Sequence, residues 1–406
     1  MFILLTAGCV PASAENLTMW VRDNGATLAT RVVNHWNETH AADHITITLI
    51  PHEKIMSTFT SAQAAGTAPD LLSLDVILTP DFMRVGYLKD ITVAMADNPN
   101  INKVVQAHID LATYKKRLYG VPFTPDDSVL FYNKALFNRA GLDPEKPPTS
   151  TNQIVSAAEK IRALGPEFYG LYFSGSCPGC NIFTIAPQMW ASHGTVVLPP
   201  GCDVEPLQGE SIRQVLQYYR TMWKEGLIPE YAKADLGEDH TMEVFRTGKI
   251  GMQAGPNYSV AVLKEKAPEL EFGVAFLPGP NKGEVSSFGG GDVLTIPAAA
   301  KHAAKALKFL NWILTDEPQL EVYAKTGNLP SRTDLANNKY FAADPRLVKT
   351  AQALAIAQTP WTFHFNDMSN ANSSPWIEMV QTAIFEGDID GAIAKAKKRM
   401  KQLQCN

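Results

Sequence analysis

Residues 119–134 read YGVPFTPDDSVLFYNK, and this stretch decides how the chain is organised. Two prolines and two adjacent aspartates precede an apolar run at residues 129–132, which predicts a buried strand. Residues 149–151 (TST) then predict the start of a helix over 152–163, because short hydroxyl side chains cap the free N–H groups of a first turn. A new series of strands and helices therefore begins in mid-chain.

The chain before this stretch already alternates between the two kinds of element. The pattern predicts strands at 17–21, 45–49 and 70–74, and helices around 29–36 and at 57–66. This alternation predicts an α/β fold with a parallel, doubly wound sheet. Ligands bind beyond the carboxyl ends of such strands, so the loops that start near Arg22, Glu53 and Asp75 are expected to face a binding site.

The second half of the chain continues in the same way. It predicts helices at 209–225 and 240–247, strands at 250–253 and 272–276, and a C-terminal amphipathic helix at 388–401. Asp388 is predicted to cap that last helix, since the downstream ligands of a calcium loop are missing.

Size and charge favour two domains and exclude a nucleic-acid partner. The chain has 406 residues, of which 45% are apolar, which is too long for one ordinary core. Its 36 basic and 41 acidic residues are evenly mixed, and the net charge of -5 offers no polycationic surface.

Residues 1–14 (MFILLTAGCVPASA) are typical of a secretory signal that lacks its basic front. The small residues before Glu15 predict cleavage after Ala14, and Leu-Thr-Ala-Gly-Cys leaves lipid attachment at Cys9 as the alternative. No later window has the roughly 18 apolar residues that a membrane span needs. An exported, periplasmic protein is predicted.

Four cysteines remain after such cleavage, and an oxidising compartment favours disulfides. Cys177, Cys180 and Cys202 are predicted to include one structural disulfide, with Cys202 as the partner of one of the other two. A zinc site with His193 and a redox CxxC motif are the alternatives. The polar turn residues 174–176 argue against the redox motif, which normally opens a helix after a buried strand.

Several ordered blocks resemble the extracellular carbohydrate-binding proteins of ATP-driven importers, of the maltose-binding and glycerol-3-phosphate-binding type. They span most of residues 17–400 and include AGTAPD (65–70), residues 119–142, FRTGKIGM (245–252) with Gly-Pro after it, SFGGGD (287–292) and GNLPSR (327–332).

The resemblance implies a two-lobe clamp with three crossovers, near residues 121–124, 276–280 and 326–332. Lobe 1 would comprise 15–122 and 279–326, and lobe 2 would comprise 123–278 and 327–406. It also implies a monomeric, high-affinity sugar- or polyol-binding protein that needs no cofactor and delivers its ligand to the permease of an ABC importer.

No Gly-rich phosphate loop, GxSxG elbow or HExxH motif is present in the sequence, so a binding protein is predicted rather than an enzyme. An exported thiol oxidoreductase and a glycosidase with paired carboxylates are the catalytic alternatives.

Sugars are bound by aromatic plates together with side chains that form charge-assisted hydrogen bonds. Residues of these types, and glycines that let the backbone approach a ligand, occur on the loops expected to face the cleft. The candidates are Trp20, Arg22, Asp23, Glu53, Asp75, Asp126, Asp127, Trp190, Tyr258, Gly290, Gly291, Asp292, Arg332, Trp361, Phe363 and His364.

The charge of these candidates favours a neutral ligand. Four carboxylates (Asp23, Asp75, Asp126 and Asp292) face few cations, and carboxylates accept hydrogen bonds from hydroxyl groups but repel anions. Arg332 is the counterargument, because a guanidinium could bind a carboxylate or phosphate bidentately. A binder of a glycerol-phosphate-like anion is therefore the alternative, unless Arg332 pairs with one of the aspartates.

Overall fold

The fold is a mixed α/β architecture, and the computed structural model describes residues 16–196, 204–237 and 242–405. The strands of this part are β1 (Leu17–Arg22), β2 (Ile45–Ile50), β3 (Leu71–Asp75), β4 (Thr113–Tyr114), β5 (Arg117–Leu118), β6 (Gly120–Asn133), β7 (Tyr169–Tyr172), β8 (Ile250–Pro256), β9 (Phe272–Ala275), β10 (Leu277–Pro278), β11 (Val285–Thr295) and β12 (Ala357–Gln358).

Helices surround these strands. They are α1 (Ala26–Thr39), α2 (Ile55–Ala65), α3 (Thr79–Arg84), α4 (Thr92–Met95), α5 (Gln106–Leu111), α6 (Lys134–Arg139), α7 (Thr151–Arg162), α8 (Pro178–Ala191), α9 (Glu210–Lys224), α10 (Glu243–Arg246), α11 (Ser259–Lys266), α12 (Ala303–Ile313), α13 (Asp316–Pro318), α14 (Pro345–Ala355), α15 (Pro375–Gln381) and α16 (Ile389–Cys405).

The main sheet has the strand order β2-β1-β3-β11-β6-β8-β7. β1 pairs in parallel with β2 and β3, and β7 pairs in parallel with β8, as in doubly wound sheets. β11 is antiparallel to both β3 and β6, and β6 is also antiparallel to β8. Two long antiparallel strands therefore join the two parallel parts of the sheet.

Two large apolar cores lie on this sheet, and β6 and β11 contribute to both. Phe123 of β6 and Leu294 of β11 pack in the first core with Trp36 and Phe309. The second core takes residues 129–132 of β6 and Phe288 of β11. The same two strands thus pass from one core to the other, and the residues between the cores lie where a ligand could contact both.

Most predicted elements are confirmed, one has different bounds, and several helices and strands were not predicted. β6 starts at Gly120 and not at residue 129, because the strand continues through Pro122 and Pro125. Proline is unusual inside a strand, so the sequence pattern predicted only the part after both prolines. Residues 178–191 form helix α8, which was not predicted. Cys9, the Ala14–Glu15 junction and Cys202 lie outside the described residues.

Within the described residues, no helix is both long enough and apolar enough to cross a membrane.

Candidate ligand-binding cleft

An ion-pair cluster marks the carboxyl ends of β1 and β3. Arg22, the last residue of β1, donates from Nη1 to Asp75 Oδ2 at 2.7 Å and from Nη2 to Asp292 Oδ1. Asp292 of β11 lies opposite Asp75 in the antiparallel pair, and Ser73 Oγ donates to its second oxygen at 2.5 Å. The rule on strand ends placed Arg22 and Asp75 at one edge of the sheet, and the structure brings the two side chains into contact there.

The cluster carries more negative than positive charge. Burial alone would lower the pKa of Arg22, but the carboxylates of Asp292 and Asp75 outweigh it, and the pKa lies above its usual value. Burial raises the pKa of Asp75; Arg22 opposes that shift and Asp292 adds to it. One guanidinium therefore donates hydrogen bonds to two carboxylates, and a third carboxylate nearby receives none from it.

Asp126 is that third carboxylate. It lies on β6 opposite Gly290, and its Oδ1 is buried without a hydrogen-bond partner among the described residues. Burial, together with Asp75 and Asp292, raises the pKa of Asp126 to about 7 against the opposing effect of Arg22. Its carboxyl group therefore changes charge near neutral pH.

Three cavities meet at Asp126. Cavity A, of about 260 Å³, is also lined by Phe173, Phe183, Gln253, Tyr258 and Ser259. Cavity B, of about 240 Å³, is lined by Arg22, Thr124, Asn257, Tyr258, Asp292 and Asn328. Cavity C, of about 190 Å³, is lined by Arg22, Asp75, Phe183, Gly290, Phe365 and Asn370. Each is somewhat smaller than the usual range of about 300–1,000 Å³ for ligand pockets, and Asp126 lines all three.

Gly290 and Gly291 let the two long strands cross closely at this point. A Cβ on Gly290 would collide with Asp126 Oδ1, and one on Gly291 would collide with the carbonyl oxygen of Thr124. Gly291 also has φ +96°, which favours glycine. Both residues line the cavities, and His108 Nε2 donates to the Gly290 carbonyl at 2.8 Å. Burial lowers the pKa of His108 to about 4, so this histidine is neutral.

Of the sixteen predicted site residues, the structure brings seven to the cavities: Arg22, Asp75, Asp126, Tyr258, Gly290, Gly291 and Asp292.

Four other candidates, which are close to these in sequence, lie elsewhere. Trp20 packs edge-on against Phe59, with ring centroids 6.5 Å apart. Asp23 accepts a hydrogen bond from the His52 backbone at 3.1 Å, and Glu53 is 59% exposed beside the same histidine. Asp127 points away from its neighbour Asp126, as alternation along a strand requires, and is fully buried.

The predicted aromatic plates also lie away from the cavities, with the exception of Tyr258. Trp190 is 8% exposed and packs on Phe288 inside the second core, so its predicted ligand contact is corrected to a packing role. Trp361 donates to the carbonyl oxygen of Asp110 and contacts Phe363, and the backbone N–H of His364 donates to Thr362 Oγ1.

Arg332 does not have the predicted role, and this expectation is corrected. Its side chain is 3% exposed, and it donates to both carboxylate oxygens of Asp334, to Asp316 Oδ1 at 2.9 Å and to the Leu314 carbonyl. Neither of its partner carboxylates belongs to the cleft. The predicted contact of Arg332 with a ligand is therefore replaced by a structural role, in which its side chain connects Asp316 of α13 to Asp334 through hydrogen bonds.

Replacing Arg332 by alanine is expected to destabilise the protein and leave ligand affinity unchanged. The substitution removes the hydrogen bonds of a buried guanidinium to two partly exposed carboxylates and to a backbone carbonyl, an expected loss of about 1–3 kcal/mol in all, but Arg332 lines none of the three cavities. Urea unfolding measures the change in stability. Calorimetric titration with a ligand that binds the wild-type protein measures the change in affinity. A loss of affinity without a loss of stability would contradict this assignment.

The predicted disulfide joins Cys177 to Cys180. The expectation that Cys202 bonds one of these two is therefore wrong, since both sulfurs are used. The oxidised pair also cannot supply the thiolates of a zinc site, and the described residues contain no cluster of three or more metal-ligating side chains.

The expectation that this cysteine pair does not open a helix is also wrong, because helix α8 begins at Pro178. Cys177 is the N-cap residue of α8, and its sulfur accepts from the Cys180 N–H at 3.1 Å. Pro178 at the first helical position was a usable signal for this start. Cys180 lies on the wall of cavity A, so the disulfide fixes the first turn of α8 at the cleft.

Several cleft residues were missed by sequence reasoning. Phe183 and Phe365 supply the apolar surface that was expected from tryptophans, and Gln253, Asn257, Ser259 and Asn370 supply polar groups. Finding Phe183 would first have required the prediction of a helix that begins at Pro178.

The paired cores, the two strands that join them and the cavities between define the two-lobe class of binding proteins. The chain belongs to the bacterial extracellular solute-binding proteins, whose family profile matches residues 33–350.

Solved structures of similar fold include the sugar-binding protein MalE of Xanthomonas citri, with a TM-score of 0.84, 20% identity, and coverage of 96% of this chain and 97% of that one. A cyclic α-maltosyl-1,6-maltose binding protein of Arthrobacter globiformis has a TM-score of 0.82 and 22% identity, with coverage of 97% and 99%. Identities this low show the fold alone.

Curated relatives are similar over most of the chain. A putative binding protein of Brucella abortus is 25% identical over 314 residues, which cover 76% of this chain and 74% of that protein. The sn-glycerol-3-phosphate-binding periplasmic protein of Yersinia pestis is 25% identical over 304 residues, covering 70% of this chain and 65% of that protein.

Proposed function

We propose that this chain is an exported, periplasmic solute-binding protein that binds a sugar or polyol in the cleft around Asp126, delivers it to the permease of an ABC importer, and catalyses no reaction. Lobe 1 then comprises residues 15–122 and 279–326, and lobe 2 comprises 123–278 and 327–406. A ligand that contacts both lobes favours the closed arrangement, because it binds that arrangement more tightly than the open one.

The observation that carries the choice of ligand is the charge of the cleft. Among the described residues that line the three cavities, Arg22 is the one cationic side chain, and two carboxylates already accept from it. A phosphate would therefore meet Asp126, Asp75 and Asp292 without a free counter-charge. Hydroxyl groups can donate to these carboxylates without repulsion.

Two further observations support a carbohydrate. Phe183, Phe365 and Tyr258 give the cavities apolar surface of the kind that packs on the C–H face of a sugar ring. The MalE protein of similar fold is named as a sugar-binding protein. The alternative ligand, sn-glycerol 3-phosphate, is favoured by the name of the Yersinia pestis relative.

A thermal-shift screen separates the two ligands. Mono- and disaccharides and polyols are tested beside sn-glycerol 3-phosphate and inorganic phosphate. A ligand at a hundredfold excess over its Kd adds about 2.7 kcal/mol to the stability of the native state, so it raises the melting temperature. We expect an upward shift with at least one sugar or polyol and none with the phosphates. A shift with sn-glycerol 3-phosphate and with no sugar would reject the proposal in favour of the alternative.

A further inference from the structure

Cavity A holds three polar side-chain atoms that the protein leaves without hydrogen bonds. Asp126 Oδ1, Gln253 Oε1 and Ser259 Oγ are each buried and have no partner within the described chain. All three residues line the same cavity of about 260 Å³, and Ser259 is completely buried. Buried polar atoms in native proteins are nearly always paired, so three orphans around one cavity indicate that a ligand pairs with them.

The chemistry of these atoms limits what that ligand brings. The amide oxygen of Gln253 can only accept hydrogen bonds, and so can Asp126 in its ionised form, so a ligand that pairs with both must donate to them. A protonated amine carries three N–H donors and a positive charge, whereas a hydroxyl group carries one donor and no charge. Arg22 opposes the raised pKa of Asp126, but its hydrogen bonds go to Asp75 and Asp292, so Asp126 Oδ1 stays unpaired.

The walls of cavity A also suit a cation. Phe173, Phe183 and Tyr258 line it, and aromatic rings attract ammonium groups through their negative faces. Asp126 itself interacts electrostatically with Tyr258: burial and this carboxylate together raise the pKa of the phenol. The phenol therefore stays neutral at physiological pH and adds no competing anionic charge.

We propose that the carbohydrate ligand carries a protonated amino group, which binds in cavity A against the carboxylate of Asp126. This inference rests on the proposed function, and it narrows the ligand from sugars in general to amino sugars or amino polyols.

Titration calorimetry at pH 6.5 with matched sugars tests the inference. D-glucose, D-galactose and D-mannose are each compared with the 2-amino and the 2-acetamido form, which differ in charge at one position. We expect at least one amino form to bind about tenfold or more tightly than both of its neutral counterparts.

The other outcomes separate this inference from the function on which it rests. Binding of neutral forms with equal or higher affinity throughout would overturn the inference and leave the proposed function intact. Binding of no member of the panel would also overturn it, and binding of sn-glycerol 3-phosphate in their place would overturn the proposed function as well.

Proton release gives a second readout that needs no variant. With a pKa of about 7, most Asp126 carboxyl groups hold a proton at pH 6.5. A cation placed beside this group lowers its pKa more than the hydroxyl group of a neutral sugar does, and so expels more of the proton. Binding heats measured in two buffers of different ionisation enthalpy are therefore expected to reveal greater proton release with the amino form than with its neutral counterparts. Equal proton release with the neutral forms would contradict the assignment.

Two variants test whether Asp126 in cavity A causes the preference for the amino form. Asp126→Asn is expected to reduce the preference for the amino form to about onefold, since the amide carries no charge. Glu53→Gln makes the same chemical change at an exposed loop position outside the cavities, and it is expected to keep the full preference. A preference that survives Asp126→Asn would reject Asp126 as the binding group.

Discussion

Replacing Arg22 by methionine is expected to lower the free energy of unfolding by about 3–5 kcal/mol at pH 7.5. The guanidinium is 11% exposed and donates to two carboxylates, of which Asp292 is 1% exposed. Without it, two negative charges face each other across the β3–β11 pair with Ser73 as the remaining donor to Asp292. Methionine keeps most of the side-chain volume, so the change isolates charge from packing. Urea denaturation measures the effect.

Urea denaturation at lower pH tests whether repulsion between Asp75 and Asp292 causes this loss of stability. Asp75 has a pKa above its usual value even beside Arg22, and without that cation the pKa rises further. Protonation of Asp75 removes the repulsion, so the loss of stability should shrink as the pH falls from 7.5 to 5. A loss that is independent of pH would indicate lost packing instead.

Arg84→Met is the matched control. Arg84 also donates to an aspartate, Asp81, but the pair is solvent-exposed, with side chains 46% and 29% exposed. Exposed pairs contribute about 0–1 kcal/mol. If Arg22→Met lowers the free energy of unfolding by no more than Arg84→Met does, the ion pairs of Arg22 with Asp75 and Asp292 do not stabilise the protein.

The parts of the cleft that sequence reasoning found follow from backbone rules. Arg22 and Asp75 end parallel strands whose apolar alternation is visible in the sequence, and the ends of such strands meet at one edge. Asp126 and the glycines before Asp292 came from a resemblance between ordered blocks, and not from periodicity. β11 itself was not predicted as a strand, because three successive glycines are unfavourable in strand interiors. The close contacts with Asp126 and Thr124 explain Gly290 and Gly291 only once the structure is known.

The parts that were missed depend on which way a side chain points. Trp190 and Phe183 lie on the same helix, α8, yet Trp190 packs in the core and Phe183 lines the cleft. The two residue types alone do not show which side chain faces the cleft. That depends on the position of the helix and of the elements packed against it. Arg332 was misassigned for a similar reason: its partners Asp316 and Asp334 flank it in sequence, but the sequence does not show that the side chain turns toward them.

Replacing Asp126 by asparagine is expected to stabilise the ligand-free protein at pH 8 by about 2–4 kcal/mol. In the native state, burial raises the pKa of this carboxyl group to about 7, whereas the unfolded chain has the ordinary value near 3.8. The native state therefore binds more protons than the unfolded state between these two values. Stability is lost as the pH rises from about 4 to 7, and above pH 7 the loss is complete.

Asparagine cannot ionise, so the variant avoids this loss and its stability should change less over the same window. Urea denaturation of both proteins at about pH 4.5, 6, 7 and 8 measures the difference, which should be smallest at the lowest pH and largest at the highest. Glu53→Gln, at an exposed carboxylate outside the cavities, is expected to give no such trend. A constant difference across the pH range would mean that Asp126 ionises normally. In that case the carboxylate would already be compensated within the protein, and no cationic group on the ligand would be needed to pair with it.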